Sequence, residues 1–275
     1  MKPPDWSGAS GDAWAQHWRS TDRALAPVGA ALDAAIAAAA PPGAFRAFDV
    51  GCGPGTTALA LAERRGDAHV IGCDVSAPLI AIARARAEDI ANAEFLVGDA
   101  EAVVAAHAPF DLIFSRHGVM FFGDPARAFR GLRGAAAPGA HLVLSCFRAW
   151  DANPWASLLE AAAAGAPATP PESGPGAFAF ADAEEVGDML AQAGWAAAEA
   201  TALDFDYVAG AGEDAVEQAV TFLTTIGPAS RIIAELNGDA RAAAVARLRD
   251  ALRARLGDYR VVFAGAAWIW TAQAA

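Results

Sequence analysis

The chain has 275 residues, a formal net charge of −12 and a hydrophobic fraction of 55%. This length is enough for one large domain with a full core. No apolar run reaches the ~18 residues that a bilayer-spanning helix needs, so we expect no membrane partner. The acidic charge repels phosphate backbones and argues against a nucleic-acid partner. The three cysteines match neither a disulfide framework nor a zinc site and are typical of buried thiols in a reducing compartment.

Residues 1–43 are predicted to form an N-terminal helical cap that ends at the sequence APPG. The first residues lack a positively charged segment followed by an apolar one, so we expect no signal peptide and a cytoplasmic protein. We expect residues 44–150 to form the ligand-binding core and residues 151–275 to complete the same domain.

Short apolar segments alternate with amphipathic ones through the middle of the chain. The predicted strands are residues 45–50, 69–74, 94–98, 110–114 and 140–147, and the predicted helices are residues 56–65, 78–90 and 125–132. Ser76 and Asp124 are suited to cap the second and third of these helices. Alternation of strands and helices with short links is typical of βαβ units, so we predict a doubly wound, mostly parallel α/β sheet.

The segment after the fifth strand has a different character. We predict helices at residues 154–164 and 182–194 on either side of a loop rich in proline and glycine, and strands at residues 195–207 and 259–273. These two strands bring the sheet to seven. Residues 213–256, which precede the last strand, exceed any turn and carry apolar residues at helical spacing. This helical insertion is either a lid over the ligand face or a contact in a homodimer.

Three glycines, Gly51, Gly53 and Gly55, follow the first strand and precede a helix. Glycine in this position lets a ligand contact backbone N–H groups at the helix N-terminus. The spacing G-x-G-x-G differs from the G-x-G-x-x-G of dinucleotide-binding folds. Asp74 ends the second strand, where a carboxylate can accept hydrogen bonds from two ribose hydroxyls. Asp49, just before the glycines, favours a ligand with an ammonium group.

Polar residues also follow the third and fourth strands. Asp99 and Ala100 come after the third, and Ser115 and His117 end or follow the fourth. Ligands of open α/β sheets bind along the carboxyl edge that these positions share. Asp99 either contacts the ligand or caps a turn. His117 either acts as a general base for the substrate or shapes the site.

Five segments in this order resemble the successive motifs of class I S-adenosylmethionine-dependent methyltransferases. They span residues 44–147 and read DVGCGPG, GCDVS, VGDAE, FDLIFSRHGVMFF and LRGAAAPGAHLVLSCF. The flanking segments WAQHWRSTD, NPW and AAWIWTA resemble those of members that act on small molecules. The resemblance implies a Rossmann-like methyltransferase fold, S-adenosylmethionine as the cofactor and a small-molecule methyl acceptor.

The resemblance also implies how individual residues bind the cofactor. Gly51 and Gly53 let the backbone approach its amino-acid part, and Asp49 faces its ammonium end. Asp74 holds both ribose hydroxyls, and Val75 lies against the adenine.

The later motifs imply the remaining contacts. Asp99 accepts a hydrogen bond from the adenine amino group, the N–H of Ala100 reaches a ring nitrogen, and Ser115 lies near the methionine portion. His117 is the candidate catalytic residue. No metal-binding motif such as H-x-x-H is present in the sequence, so we expect no metal.

Three other functions on related folds fit the sequence less well. A nicotinamide-dependent oxidoreductase is disfavoured by the glycine spacing and by Asp49, and a non-catalytic cofactor-binding protein by the intact motifs. Methylation of nucleic-acid amino groups is disfavoured because SRHG stands where a Pro-Pro-aromatic motif is expected. We predict methyl transfer to a small molecule by in-line displacement, and the sequence leaves the acceptor and the methylated atom open.

Overall fold

The strands of the protein lie in one sheet. The structure, a computed structural model, describes residues 5–171 and 174–275. Its strands are β1 (Phe45–Val50), β2 (Ala68–Asp74), β3 (Ala93–Val97), β4 (Phe110–Arg116), β5 (Ala136–Phe147), β6 (Trp195–Ala211), β7 (Leu256–Gly257) and β8 (Arg260–Ala274).

The strand order is β3-β2-β1-β4-β5-β8-β6, with β7 paired to β8. Strands β1 to β5 pair in parallel, whereas β8 runs antiparallel to both β5 and β6. The predicted doubly wound, mostly parallel sheet of seven strands is confirmed, and the two-residue β7 is an addition to it. The order of strands reverses between β1 and β4, and ligands of such sheets bind outside the carboxyl ends of the strands at this point.

Helices flank the sheet and cover its ends. They are α1 (Ala9–Gln16), α2 (Trp18–Ala24), α3 (Ala26–Ala39), α4 (Thr56–Arg64), α5 (Ala77–Arg86), α6 (Ala100–His107), α7 (Pro125–Ala135), α8 (Pro154–Ala164), α9 (Ala183–Gln192), α10 (Ala215–Leu223), α11 (Pro228–Ala234) and α12 (Gly238–Arg253). Within the described ranges, no helix is both long enough and apolar enough to cross a membrane.

The central strands are buried on both faces, which explains their almost continuous apolar sequence. Strand β4 buries Phe110, Leu112, Ile113 and Phe114 completely. The side chain of Phe48 on β1 packs 5.0 Å from the ring of Phe110. This apolar layer fixes the register of β1 against β4 and so aligns the residues that follow the two strands.

Several elements differ from the prediction. Helix α6 was not predicted, although Asp99 caps it by accepting hydrogen bonds from the N–H groups of Glu101 and Ala102. Helix α5 ends at Arg86 rather than at residue 90. A turn follows it, and the side-chain amide of Asn92 after this turn donates hydrogen bonds to three backbone carbonyls. Strand β5 begins at Ala136, four residues early, where it pairs with Phe110 across an irregular register.

The predicted insertion, residues 213–256, forms α10, α11 and α12. Helix α10 packs on β6 and on α12, while α11 and α12 pack on α8. Phe222, Leu248 and Leu252 are buried in these contacts. The insertion is therefore part of the packed body of the protein. The division into residues 1–43, 44–150 and 151–275 stays a prediction about which segments fold as units.

Candidate active site

One large cavity, of about 1250 Å³, lies along the carboxyl ends of β1, β2, β3 and β4. Eight of the nine predicted site residues line it: Asp49, Gly51, Gly53, Asp74, Val75, Asp99, Ala100 and His117. The cavity also extends under α2, along the segment before α9 and to the corner between α10 and α11. The topology thus brings together residues from both halves of the sequence.

The glycine turn after β1 forms one wall of the cavity. At Gly53, where φ is +53°, an added Cβ would meet nothing within 4 Å, so the turn presents bare backbone to open space. At Gly51, a Cβ would lie 3.1 Å from the Cα of Gly118. Gly118 is itself a close-packed position, because its Cβ would lie 2.6 Å from the carbonyl oxygen of Val50. The segment after β4 therefore lies directly against the glycine turn.

Asp74 is tied to this turn by its carboxylate. Its Oδ2 accepts a hydrogen bond of 2.9 Å from the N–H of Gly53, and its Oδ1 accepts one of 2.8 Å from the N–H of Ser76. Burial raises the pKa of Asp74, and these N–H groups offset part of the rise. Each carboxylate oxygen can accept a second hydrogen bond, so the side chain is suited to hold a pair of hydroxyl groups.

Asp49 has a buried carboxylate that makes no well-formed hydrogen bond within the described residues. The residue is 1% exposed, and within the described part of the chain neither oxygen makes a hydrogen bond of normal geometry. Burial raises the pKa of Asp49 well above its ordinary value. The guanidinium of Arg116 and, to a smaller extent, the nearby backbone N–H of Ala58 oppose this rise, and the carboxylate of Asp74 adds to it. An unpaired buried carboxylate is costly, so this position fits a ligand that brings a positive charge.

Val75, Asp99 and Ala100 line the part of the cavity beside β2 and β3. Val75 is 38% exposed although it is apolar, so it offers a surface for a flat apolar group. Asp99 serves as the N-cap of α6 through Oδ1 and also lines the cavity, so both predicted roles are compatible with its position.

Ser115 does not line the cavity. It is fully buried behind the lining residues, where its hydroxyl donates to the carbonyl of Val50 at 2.7 Å and accepts from the N–H of Gly118 at 3.1 Å. Both contacts fix the segment after β4 against the end of β1. Its position supports that wall of the site from behind.

His117 has an uncommon backbone conformation for a residue other than glycine, with φ at +64°. Its Nδ1 lies 2.7 Å from the hydroxyl of Ser145 on β5, while Nε2 is buried without a hydrogen-bond partner in the described residues. Burial and, to a smaller extent, the charge of Arg116 lower the pKa of His117 to about 3. The imidazole is therefore neutral at physiological pH.

A network of hydrogen bonds and ion pairs around Asp22 connects α2 with the start of α4 and the end of β4. Asp22 accepts hydrogen bonds from the hydroxyl of Thr56 at 2.7 Å and from the guanidinium of Arg116 at 2.5 Å. Arg86 donates to Thr56 and lies 4.6 Å over the ring of Trp18. Sequence reasoning missed Asp22, which is 94 positions from Arg116 and follows no local motif.

Aromatic rings form the wall of the cavity beyond His117. The ring of Trp155 stacks on Tyr207, with centroids 4.9 Å apart and planes 8° apart, and lies 4.8 Å from Phe147 and 5.9 Å from Phe178. The rings of His117 and Phe147 form a T-shaped contact, with centroids 4.2 Å apart. We call Phe147, Trp155, Phe178 and Tyr207 the aromatic wall. Within the described ranges, no three His, Cys, Asp or Glu residues are grouped to hold a metal ion.

Known proteins resemble this chain in sequence over its central part. Residues 47–139 match a family described as a methyltransferase domain. A trans-aconitate 2-methyltransferase from Methylobacterium radiotolerans is 36% identical over 152 residues, which cover 54% of each chain. A demethylmenaquinone methyltransferase from Thermus thermophilus is 37% identical over 100 residues, 36% of this chain and 46% of that one. The chain thus spans about half the length of these curated relatives.

Solved structures resemble the chain over most of its length. The YcgJ protein from Bacillus subtilis aligns with a TM-score of 0.57 at 18% identity, over 88% of this chain and 97% of that one. Phosphoethanolamine N-methyltransferase 2 from Haemonchus contortus, solved with S-adenosylmethionine, aligns with a TM-score of 0.52 at 18% identity, over 88% of this chain and 51% of that one. Residues 47–139 thus match a methyltransferase domain, and the chain shares its fold with a solved methyltransferase that binds S-adenosylmethionine.

Proposed function

We propose that the protein transfers a methyl group from S-adenosylmethionine to a small-molecule acceptor, by in-line displacement and without a metal. The observation that carries this proposal is the unpaired, buried carboxylate of Asp49 beside the bare backbone of Gly53 and the carboxylate of Asp74. A cationic amino-acid end and a ribose diol are the two features of S-adenosylmethionine that such a set would recognise. The residues present therefore fit the cofactor.

The cofactor-binding roles follow from these positions. Asp49 would face the ammonium group, and the backbone of Gly51 and Gly53 would lie along the amino-acid part. Asp74 would accept from the ribose hydroxyls. Val75 would lie against the adenine.

Three further residues have less direct roles in holding the cofactor. Asp99 and the N–H of Ala100 would meet the polar edge of the adenine. Ser115 would act from behind the cavity wall by holding the segment that faces the methionine portion.

When bound, S-adenosylmethionine supplies a methyl carbon that the lone pair of the acceptor takes up as the carbon–sulfur bond breaks and its electron pair stays on sulfur. His117 would hydrogen-bond the attacking group of the acceptor through Nε2 and so orient its lone pair. Since the pKa of His117 is lowered to about 3, the ring stays neutral and the proton lost by the acceptor passes on to solvent. Positioning of this kind can contribute up to about 7–11 kcal/mol in favourable cases.

The compared proteins support the reaction type and leave the acceptor open. The two sequence relatives are named for trans-aconitate and demethylmenaquinone, which share little chemistry. Their similarity covers 54% and 36% of the chain, and the match to the methyltransferase domain, residues 47–139, holds the residues proposed to bind the cofactor.

Isothermal titration of the purified protein with S-adenosylmethionine, S-adenosylhomocysteine and NAD tests the proposal. We expect the first two to bind and NAD to bind at least ~100-fold more weakly. Replacement of Asp74 by Ala should weaken S-adenosylhomocysteine binding by roughly 10- to 100-fold, because two charge-assisted hydrogen bonds are lost. Asp67→Ala, at an exposed ion pair with Arg65, is the matched control and should bind normally.

Two results would contradict the proposal in different ways. Preferential binding of NAD would favour the oxidoreductase. Normal cofactor binding without methyl transfer to any member of a broad acceptor panel would favour the non-catalytic alternative.

A further inference from the structure

We propose, resting on the proposed function, that the acceptor is an uncharged, planar aromatic molecule whose attacking group is a hydroxyl or an amine, and that polycarboxylates are poor acceptors. Four features of the cavity beyond the glycine turn carry this inference. They are the aromatic wall, the unpartnered nitrogen of His117, the excess of acidic lining residues and the direct packing between the two ends of the site.

The aromatic wall offers a surface that a flat ring can cover. Trp155, Phe147 and Tyr207 are buried and Phe178 is half-buried, yet all four line the cavity. The four rings form one continuous cluster around Trp155. An aromatic ligand gains both apolar burial and ring–ring contacts on such a surface, whereas a small, highly charged acid gains neither.

His117 supplies a polar atom at the edge of this wall. The residue is 7% exposed and its Nε2 has no partner in the described chain, while Nδ1 is held by Ser145. We assign the tautomer in which Nδ1–H donates to the hydroxyl of Ser145, so that Nε2 accepts a hydrogen bond. A hydroxyl or N–H group of the acceptor is the natural donor to this nitrogen.

The charges that line the cavity outside the cofactor end exclude an acceptor with several negative charges. Five acidic residues and one basic residue line this part: Asp151, Glu160, Asp182, Glu185, Glu235 and Arg231. The other lining arginine, Arg116, is paired with Asp22. Glu160 is half-buried and accepts a hydrogen bond from the indole of Trp150. A tricarboxylate would need several cations in place of these acids.

The two ends of the cavity meet at His117 and Gly118. Gly118 packs against Gly51 of the glycine turn, and the ring of His117 makes a T-shaped contact with Phe147 of the aromatic wall. A ring that lies on the wall with its attacking group on His117 is therefore held next to the amino-acid end of the cofactor site. This is where the transferable methyl group is required.

Binding of matched naphthalene derivatives to the protein loaded with S-adenosylhomocysteine tests the acceptor class. 2-Naphthol, 2-naphthylamine and 2-naphthoate share one ring system and differ in the polar group and its charge. We expect 2-naphthol or 2-naphthylamine to bind at least ~10-fold more tightly than the carboxylate at pH 7.5. Mass spectrometry of reactions with S-adenosylmethionine then separates oxygen methylation from nitrogen methylation.

Two variants locate the binding. Phe178→Ala should weaken binding of the favoured naphthalene derivative by about 10-fold, whereas Tyr259→Ala, at a ring that is 73% exposed and outside the cavity lining, should not change it. His117→Phe keeps a ring but removes the nitrogen, and should lower the affinity of 2-naphthol to that of unsubstituted naphthalene.

The results separate this inference from the function on which it rests. If S-adenosylhomocysteine binds but 2-naphthoate binds as tightly as the neutral compounds, the acceptor class is wrong. Failure of all the neutral compounds to bind the loaded protein, or binding that neither Phe178→Ala nor His117→Phe affects, would overturn it as well. Failure of S-adenosylhomocysteine itself to bind would overturn the proposed function instead.

Discussion

Asp49 combines two properties that rarely occur together in a stable protein. Its carboxylate is almost completely buried, and neither oxygen makes a hydrogen bond of normal geometry in the described chain. Because burial raises the pKa of this group, the ligand-free protein loses stability when the carboxylate ionises. A binding site that is costly without its ligand is expected where the ligand brings the missing charge.

The variant Asp49→Asn tests this interpretation through the dependence of stability on pH. Because the pKa of Asp49 is higher in the folded than in the unfolded protein, the contribution of this group to stability is greatest below the unfolded pKa, where the carboxyl group is neutral in both states. That stability is lost as pH rises through the folded pKa. Asparagine does not ionise, so we expect the ligand-free variant to melt at a higher temperature than the wild type at pH 8, with a smaller difference at pH 5.

Saturating S-adenosylhomocysteine should reduce or reverse this difference, because the variant loses the charge that holds the ammonium group. Differential scanning calorimetry with and without the ligand measures both effects. Asp67→Asn, at an exposed carboxylate, is the control and should shift the melting temperature little at either pH. A ligand-free Asp49→Asn protein that is less stable than the wild type across the whole pH range would contradict the assignment.

A site residue could be predicted from the sequence only where the neighbouring sequence marks its place in the fold. Asp49, Gly53 and Asp74 could be predicted because each stands at the end of a recognisable apolar strand, and parallel strands bring their ends to one edge. Ser115 stands at a strand end too, but its side chain alternates to the buried side and lies behind the cavity. Asp22 could not be found, because its partner Arg116 is brought to it only by the tertiary fold.

Among the elements, the strands of the core were easier to predict than the helices that cover it. Strands β1 and β4 carry mostly apolar sequence between clear turns. Helix α6 has eight residues and a low polar contrast between its faces, so its only distinct signal was the Asp99 cap with an acidic residue in the first turn. The length of the insertion between β6 and β8 predicted helices there but not their packing on α8.

The corner between α10 and α11 is the part of the insertion that reaches the cavity. Gly227 stands at this corner with φ at +93°, and its Cβ would lie 3.9 Å from the ring of Trp155. Gly227→Val introduces backbone strain and moves the corner against the aromatic wall. We expect acceptor binding to weaken by at least ~10-fold while the affinity for S-adenosylhomocysteine changes by less than ~2-fold.

Gly212→Val is the matched control, since Gly212 has the same φ of +93° but no atom within 4 Å of its added Cβ and no place in the cavity lining. It should lower stability to a similar extent without changing acceptor affinity. Light scattering on both variants addresses the homodimer. A change in native mass that accompanies the loss of acceptor binding in Gly227→Val would favour a subunit contact over a wall of the pocket.

At the scale of the whole molecule, the two ends of the cavity come from different parts of the chain, which also differ in charge. Residues 151–275 carry 7 basic and 17 acidic side chains, and this half of the chain supplies the aromatic wall together with the acidic lining beyond His117, apart from Phe147. Residues 44–150 supply the glycine turn and the aspartates. The cofactor end is thus encoded by local motifs, while the acceptor end is assembled from distant segments, which is why the sequence predicted the first and left the second open.

A crystal structure of the protein with S-adenosylhomocysteine would test the proposed cofactor site most directly. We predict that the ammonium group lies against Asp49, that both ribose hydroxyls donate to Asp74, and that the sulfur faces the space between His117 and the aromatic wall. S-adenosylhomocysteine bound elsewhere, or bound with its ammonium group away from Asp49 and that carboxylate still unpaired, would contradict it.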